Sequence, residues 1–195
     1  MAKTGQTGLE SIAASLPRDG GRAAAPVHLW NPPFCGDLDM RIAADGTWFY
    51  QKTPIGRAGL VKLFASVLKR EGEKYFLVTP VEKVGLIVED VPFLAVELNV
   101  VRQPEQRLEF RTNVDDWVAC GPDNRLRFEP QPANGGLKPY LHVRRDLWAK
   151  VTRALFYDLV ELGEEREIGG KPMFGVASGA EFFIMAEADV LRGFA

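Results

Sequence analysis

Histidine and cysteine are nearly missing from this chain: two of each stand among 195 residues. The cysteines, Cys35 and Cys120, lie far apart and form no CxxC pair, so neither a disulfide framework nor a zinc knuckle is encoded. We expect both to be reduced, buried thiols. His28 and His142 lack metal-ligand spacing. No apolar run approaches the ~20 residues that a membrane helix needs, and residues 1–25 lack the apolar core of a signal peptide. The expected address is therefore the cytoplasm, without membrane insertion. Net charge is scarce too, at −2, which argues against a dedicated nucleic-acid binder. What remains is ordinary globular content, 46% hydrophobic and 26% charged, enough for a core without staples.

The chain reads as an α+β protein with mostly antiparallel sheets and one main helix in each of two similar halves. Residues 1–25 form a helix and arm: Thr7 and Glu10 have capping-box spacing, Leu9, Ile12, Ala13 and Leu16 recur at helical intervals, and Pro17 with Gly20–Gly21 ends the run. Residues 26–103 form the first half and 104–195 the second. Asp45-Gly46 between Met40-Arg41-Ile42 and Trp48-Phe49-Tyr50 signals a hairpin. Thr53-Pro54 reads as a helix start, followed by a stripe of Leu60, Leu63, Phe64, Val67 and Leu68, with Gly72 as the stop. Tyr75 to Thr79 is apolar on both faces and hence a central strand. Further strands are expected at 85–88, 93–101, 107–112, 117–119 and 125–128.

A proline-rich stretch, 130–139, containing Asn134-Gly135-Gly136, reads as a linking loop. The second half then gives a strand at 139–143 and a helix over 147–162, with Leu147, Val151, Leu155, Leu159 and Leu162 on one side. A closing hairpin follows from Phe174–Ala177 and Glu181–Ala186. Setting Leu60 against Leu147 places Arg57 opposite Arg144, and the element order favours a duplication.

Sequence-local catalytic motifs are missing. Gly169-Gly170-Lys171 ends like a phosphate loop, but Pro172 stands where Ser or Thr would hold magnesium, so it reads as a turn. No nucleophile elbow or dinucleotide fingerprint occurs, and no cofactor is expected. Asp37 and Asp39 read as a solvated strand edge, with a metal pair as the alternative. The positive signal is electrostatic. Residues 52–83 hold seven Lys and Arg against three Glu, and residues 137–153 hold Lys138, Arg144, Arg145, Lys150 and Arg153 against Asp146 alone. Cations at a helix start oppose the macrodipole; there, free amides and an arginine fork suit a phosphate or carboxylate. The alternative is that these arginines pair with Glu89, Asp90, Asp115 or Asp116.

Several stretches resemble the bacterial family called domain of unknown function 1285. They are Asp45-Gly46-Thr47-Trp48, Pro54-Ile55-Gly56-Arg57 with Leu60-Val61-Lys62-Leu63-Phe64, and Tyr75-Phe76-Leu77-Val78-Thr79-Pro80-Val81-Glu82-Lys83. Val88-Glu89-Asp90-Val91-Pro92-Phe93 and Pro139-Tyr140 with Val143-Arg144 continue the resemblance, which covers about residues 26–165. It implies a duplicated α+β architecture with a loosely pleckstrin-homology-like C-terminal half. It also implies a small-molecule site for a nucleotide-based ligand at the junction of the halves, a signalling role and no established activity.

The leading expectation is therefore a non-catalytic binding or regulatory module for an anionic small molecule. Arg57, Lys83 and Arg144 match family-like motifs, and Lys52, His142 and Arg145 join them by charge and proximity. Trp48, Tyr50 or Tyr140 would stack a base. The alternatives are a metal-dependent hydrolase of a phosphorylated metabolite using Asp37, Asp39 or Glu82, and a protein-interaction module pairing through the 93–101 strand.

Overall fold

The hairpin marked by Asp45-Gly46 organises the start of the fold in a computed structural model that describes residues 24–131 and 136–189. Strand β1 (Phe34–Ile42) runs antiparallel to β2 (Trp48–Tyr50), with Ile42 opposite Trp48. Gly46 takes a φ of 80°, and the Asp45 carboxylate accepts the Thr47 amide at 2.9 Å. The expected helix over residues 7–16, and residues 132–135 of the expected linking loop, lie outside the described residues.

Thr53-Pro54 does not start a helix. It forms the short strand β3, paired to β2 through Phe49 and Tyr50, an edge position where a proline without an N–H is tolerated. Helix α1 covers Ala58–Ser66 and buries Phe64 and Ala65. The apolar stripe continues past its end. Leu68 already belongs to strand β4 (Leu68–Glu71), and Gly72, at φ 60°, turns the β4–β5 hairpin. Strand β5 (Lys74–Val78) is central as expected, between β4 and β6 (Lys83–Val88), with four of its five residues buried. Thr79 closes the β5–β6 turn, its Oγ1 accepting the amides of Val81 (3.3 Å) and Glu82 (3.1 Å).

The chain divides into two units at Pro92/Phe93, eleven residues before the expected division after residue 103. The reason is strand β7 (Phe93–Val101), which pairs with β8 (Arg107–Thr112) and, in parallel, with β12 (Leu147–Val151) of the second unit's sheet. Strand β7 is thus interior over its first three residues, whereas beyond Ala95 it pairs with β8 alone, so the pairing edge expected over 93–101 is closed only in its first third. Strands β9 (Trp117–Ala119), β10 (Leu126–Pro130) and β11 (Leu137–Arg144) complete that sheet.

The two six-stranded sheets share one topology. The first is ordered β3-β2-β1-β6-β5-β4 and the second β9-β8-β7-β12-β11-β10. Each is two three-stranded meanders joined where the first strand lies parallel to the last. The helices do not correspond, however. Helix α1 falls between the third and fourth strands, whereas helix α2 (Arg153–Glu161) follows the sixth. Residues 147–151, expected to be helical, are strand β12, and the alternating burial of Leu147, Ala149 and Val151 shows why. Their spacing fits a period of two, and the leucines at 147, 155 and 159 fit 3.6 only by extending a helix through a strand. Leu60 and Leu147 are therefore not equivalent, and neither are Arg57 and Arg144.

A three-stranded sheet closes the second unit, from β13 (Glu164–Ile168), β14 (Lys171–Ser178) and β15 (Glu181–Glu187). Gly169 and Gly170 are both at positive φ between β13 and β14, so the phosphate-loop fragment is a turn. In β14, a Cβ on Gly175 would stand 2.3 Å from the Phe183 carbonyl oxygen, which explains the glycine. Ser178 ties this sheet to the larger one, accepting the Leu108 amide at 3.0 Å and donating to the Cys120 carbonyl at 2.7 Å.

The cysteines differ. Cys120 is buried as expected, but Cys35 is exposed at the start of β1. Burial pushes the Cys120 thiol up to about 12, against the lowering influence of the Leu126 amide and Ser178, so at pH 8 it carries almost no thiolate. Alkylation of the native protein at pH 8 should modify Cys35 and spare Cys120, with both reacting in denaturant, as peptide mass analysis would show.

Candidate functional site

The cationic and aromatic residues singled out in the sequence divide between the two units. In the first unit Trp48 is 1% exposed and stacks on Phe64 with ring centroids 6.4 Å apart, so it is a core residue and has no face for a base. Tyr50 is half-buried, its hydroxyl 3.4 Å from Gln51 Nε2. Lys52 is exposed at positive φ in the β2–β3 turn, beside a cleft of about 270 Å³ shared with Asp39, Arg41, Phe49 and Ile87. Arg57 is exposed at the N-cap of α1 and makes no capping hydrogen bond.

Lys83 is committed elsewhere. Its ammonium lies 3.0 Å from Glu71, which also pairs with Lys69 at 2.9 Å, and sits 4.9 Å from the centre of the Phe76 ring. Lys69 and then Lys83 hold the Glu71 carboxyl below its ordinary value. The acidic candidates do not converge. Asp37 leans over Gly85, where a Cβ would stand 2.1 Å from its Oδ1. No cluster of three or more His, Cys, Asp or Glu suited to a metal occurs among the described residues.

In the second unit Arg144 pairs with Asp116 and lies 5.0 Å from the Phe93 ring centre. Its partner is one of the acids named as the alternative to an anion. Arg145 sits at φ 50° in the β11–β12 turn. Both His142 ring nitrogens face backbone carbonyl oxygens, Asp123 at 2.8 Å and Arg145, so the imidazole fastens two turns.

The registers nevertheless gather a group that the sequence did not single out as one. Tyr140 lies opposite both Arg127 and Lys150, His142 opposite Trp148, and Lys138 opposite Glu129. Directly opposed residues share a face, and alternate residues along a strand keep to it. Arg127, Lys138, Tyr140, His142, Trp148 and Lys150 therefore occupy one face of the β10–β11–β12 meander. Leu126, Leu141, Leu147, Ala149 and Val151 fill the opposite, buried face. The Arg127 guanidinium lies 4.1 Å from the Trp148 ring centre and 5.1 Å from that of Tyr140, a stack favoured for a planar cation. Tyr140 is only 2% exposed beneath it. Among the described residues of these rows one carboxylate, Glu129, shares the face, 3.2 Å from Arg127. Lys138 and Lys150 belonged to the basic run visible in the sequence. Arg127 and Trp148 were not singled out there, because their proximity depends on a register that becomes visible only once 147–151 is read as a strand.

Comparison with known proteins agrees with this two-unit organisation. The N-terminal domain model of the family of unknown function DUF1285 matches residues 25–91, and its C-terminal domain model matches residues 92–185. The chain belongs to the DUF1285 family. The crystal structure of a DUF1285 family protein from Silicibacter pomeroyi is 48% identical, with a TM-score of 0.85 over 95% of this chain and 98% of that one. Another, from Shewanella baltica, is 33% identical, with a TM-score of 0.51 over 64% of this chain and 91% of that one. No curated protein matches the chain.

Within this DUF1285 protein the Thr79-Pro80-Val81-Glu82-Lys83 stretch has a structural role, since Thr79 closes a turn and Lys83 donates its amide to Pro33 at 3.1 Å. Arg144 and Arg57 should separate in the same way. Removing Arg144 leaves Asp116 half-buried without its partner, so Arg144→Ala should cost about 1–3 kcal/mol. Arg57→Ala at an exposed position should stay within about 0.5 kcal/mol. Denaturant unfolding of the two variants measures the contrast.

Proposed function

We propose that this protein is a non-catalytic binding module with a regulatory role, holding an anionic small molecule on the outer face of β10–β12. A nucleotide is the ligand class that suits the face best. The observation that carries the reading is the Arg127 guanidinium 4.1 Å from the Trp148 ring centre, on a face that it shares with Lys138 and Lys150 and, among the described residues of their cross-strand rows, one carboxylate, Glu129. An arginine held over an aromatic ring loses less freedom when it forks onto a phosphate, and the planar guanidinium is a group on which a base can stack. The flanking lysines add charge without fixing geometry, which suits a ligand with more than one anionic group.

The alternatives have less support in the structure. Asp37, Asp39 and Glu82 form no ligand set among the described residues, and the strand expected to pair with a partner is already paired with β12 over Phe93, Leu94 and Ala95 and with β8 from Ala95 onward. Arg57, Lys83 and Arg144 support a site less well, because Lys83 and Arg144 are held in ion pairs with side chains only 18% exposed, whereas the Arg127–Glu129 pair is exposed at 42% and 48%.

A thermal-shift series with AMP, ADP, pyrophosphate and adenosine tests the proposal. A ligand present at 100 times its Kd stabilises the folded state by about 2.7 kcal/mol. ADP should shift the transition more than adenosine, and Arg127→Ala or Lys150→Ala should weaken binding by about tenfold. The proposal fails if none of these anions shifts the transition, or if Arg127→Ala binds as the unaltered protein does.

A further inference from the structure

The opposite side of the same meander carries a separate feature. Between helix α2 and the ends of β11 and β12 lies a cleft of about 380 Å³, bordered by Leu137, Pro139, Val151, Phe156 and Tyr157, with Arg153 among its lining. That volume falls within the range of small-molecule sites, which are largely apolar with a few placed polar groups. Lys138 and Lys150 also border it, but the strand pleat assigns their side chains to the outer face with Tyr140.

Among the described residues no carboxylate borders the cleft, and Arg153 is the charged side chain that the lining presents on this face. It is held in place. Its Nε donates to the Tyr157 hydroxyl at 2.9 Å, one helical turn away, and its guanidinium lies 5.6 Å from the Tyr157 ring centre. That contact uses the Nε and directs the two terminal nitrogens away from it, a fork matched in geometry to a carboxylate. Phe156 extends the apolar wall inward, its ring 6.3 Å from that of Phe128.

We propose that this cleft binds a small amphipathic carboxylic acid, its apolar chain against Leu137, Pro139, Val151 and Phe156 and its carboxylate on Arg153. Charge complementarity selects the occupant. An apolar amine would meet a fixed cation, and a neutral chain would gain nothing from the guanidinium. Polyphosphates suit the lysine-bearing outer face better than a slot whose wall is mainly apolar, so the two sites differ in ligand chemistry.

Calorimetric titration of the full chain with octanoate, octanol and acetate tests the site. Octanoate should bind saturably, and octanol and acetate should each bind at least about tenfold more weakly, since each lacks one half of the recognition. Arg153→Ala should weaken octanoate by about tenfold or more, and Arg153→Lys by less. Arg153 is exposed, so its replacement leaves the fold intact. Arg127→Ala, on the other face, should leave octanoate affinity unchanged. Equal binding of octanol and octanoate, full octanoate affinity in Arg153→Ala, or loss of octanoate binding in Arg127→Ala would each overturn the assignment.

Discussion

Each six-stranded sheet depends on one parallel pairing between its first and last strands. Strand β1 meets β6 and strand β7 meets β12 in the middle of their sheets, and the remaining strands are antiparallel neighbours added outward. A hairpin can form from local sequence, but a parallel pair must close a loop that contains the whole intervening meander. The register of everything outside therefore refers back to a contact between distant residues. In the second unit it is Ala149 opposite Phe93 and Val151 opposite Ala95, four residues with at most 2% exposure.

That pairing also determines which side chains share a surface. Strand β12 has Leu147, Ala149 and Val151 directed to the core, so Trp148 and Lys150 must lie on the other side, and β11 and β10 follow in register. A slip of one residue would exchange the two faces entirely. The stacked Arg127 and its flanking lysines exist as a group because the core fixes the pleat, and helix α2 then covers the apolar side. The two faces of one meander thereby acquire different chemistry, one basic and aromatic, the other apolar with a single guanidinium.

Much of this was legible in the sequence where signals were local. Asp45-Gly46 marked its hairpin, the double glycine at 169–170 marked a turn, and the two-sided apolar run at 75–79 marked a buried strand. Non-local features were not. The stripe of Leu60, Leu63, Phe64, Val67 and Leu68 continued through a helix end because Leu68 is apolar for a strand's reason. The leucines at 147, 155 and 159 joined a strand and a helix into one apparent element. That misreading produced the equivalence of Arg57 with Arg144. The duplication is real, but it resides in strand order, and the helices occupy different connections. Arg144 then proved to answer Asp116, the ordinary outcome for a half-buried arginine with an acid in reach.

The surfaces of the second unit thus depend on residues 147–151 being a strand whose alternate members face opposite ways. Single cysteine substitutions through Leu147, Trp148, Ala149, Lys150 and Val151, each in a Cys35→Ser background, test this directly through native-state alkylation rates. Fast labelling at 148 and 150, with protection at 147, 149 and 151, is the predicted result. Labelling that recurs every three to four residues, or at all five positions alike, would contradict the register from which the outer-face site is built.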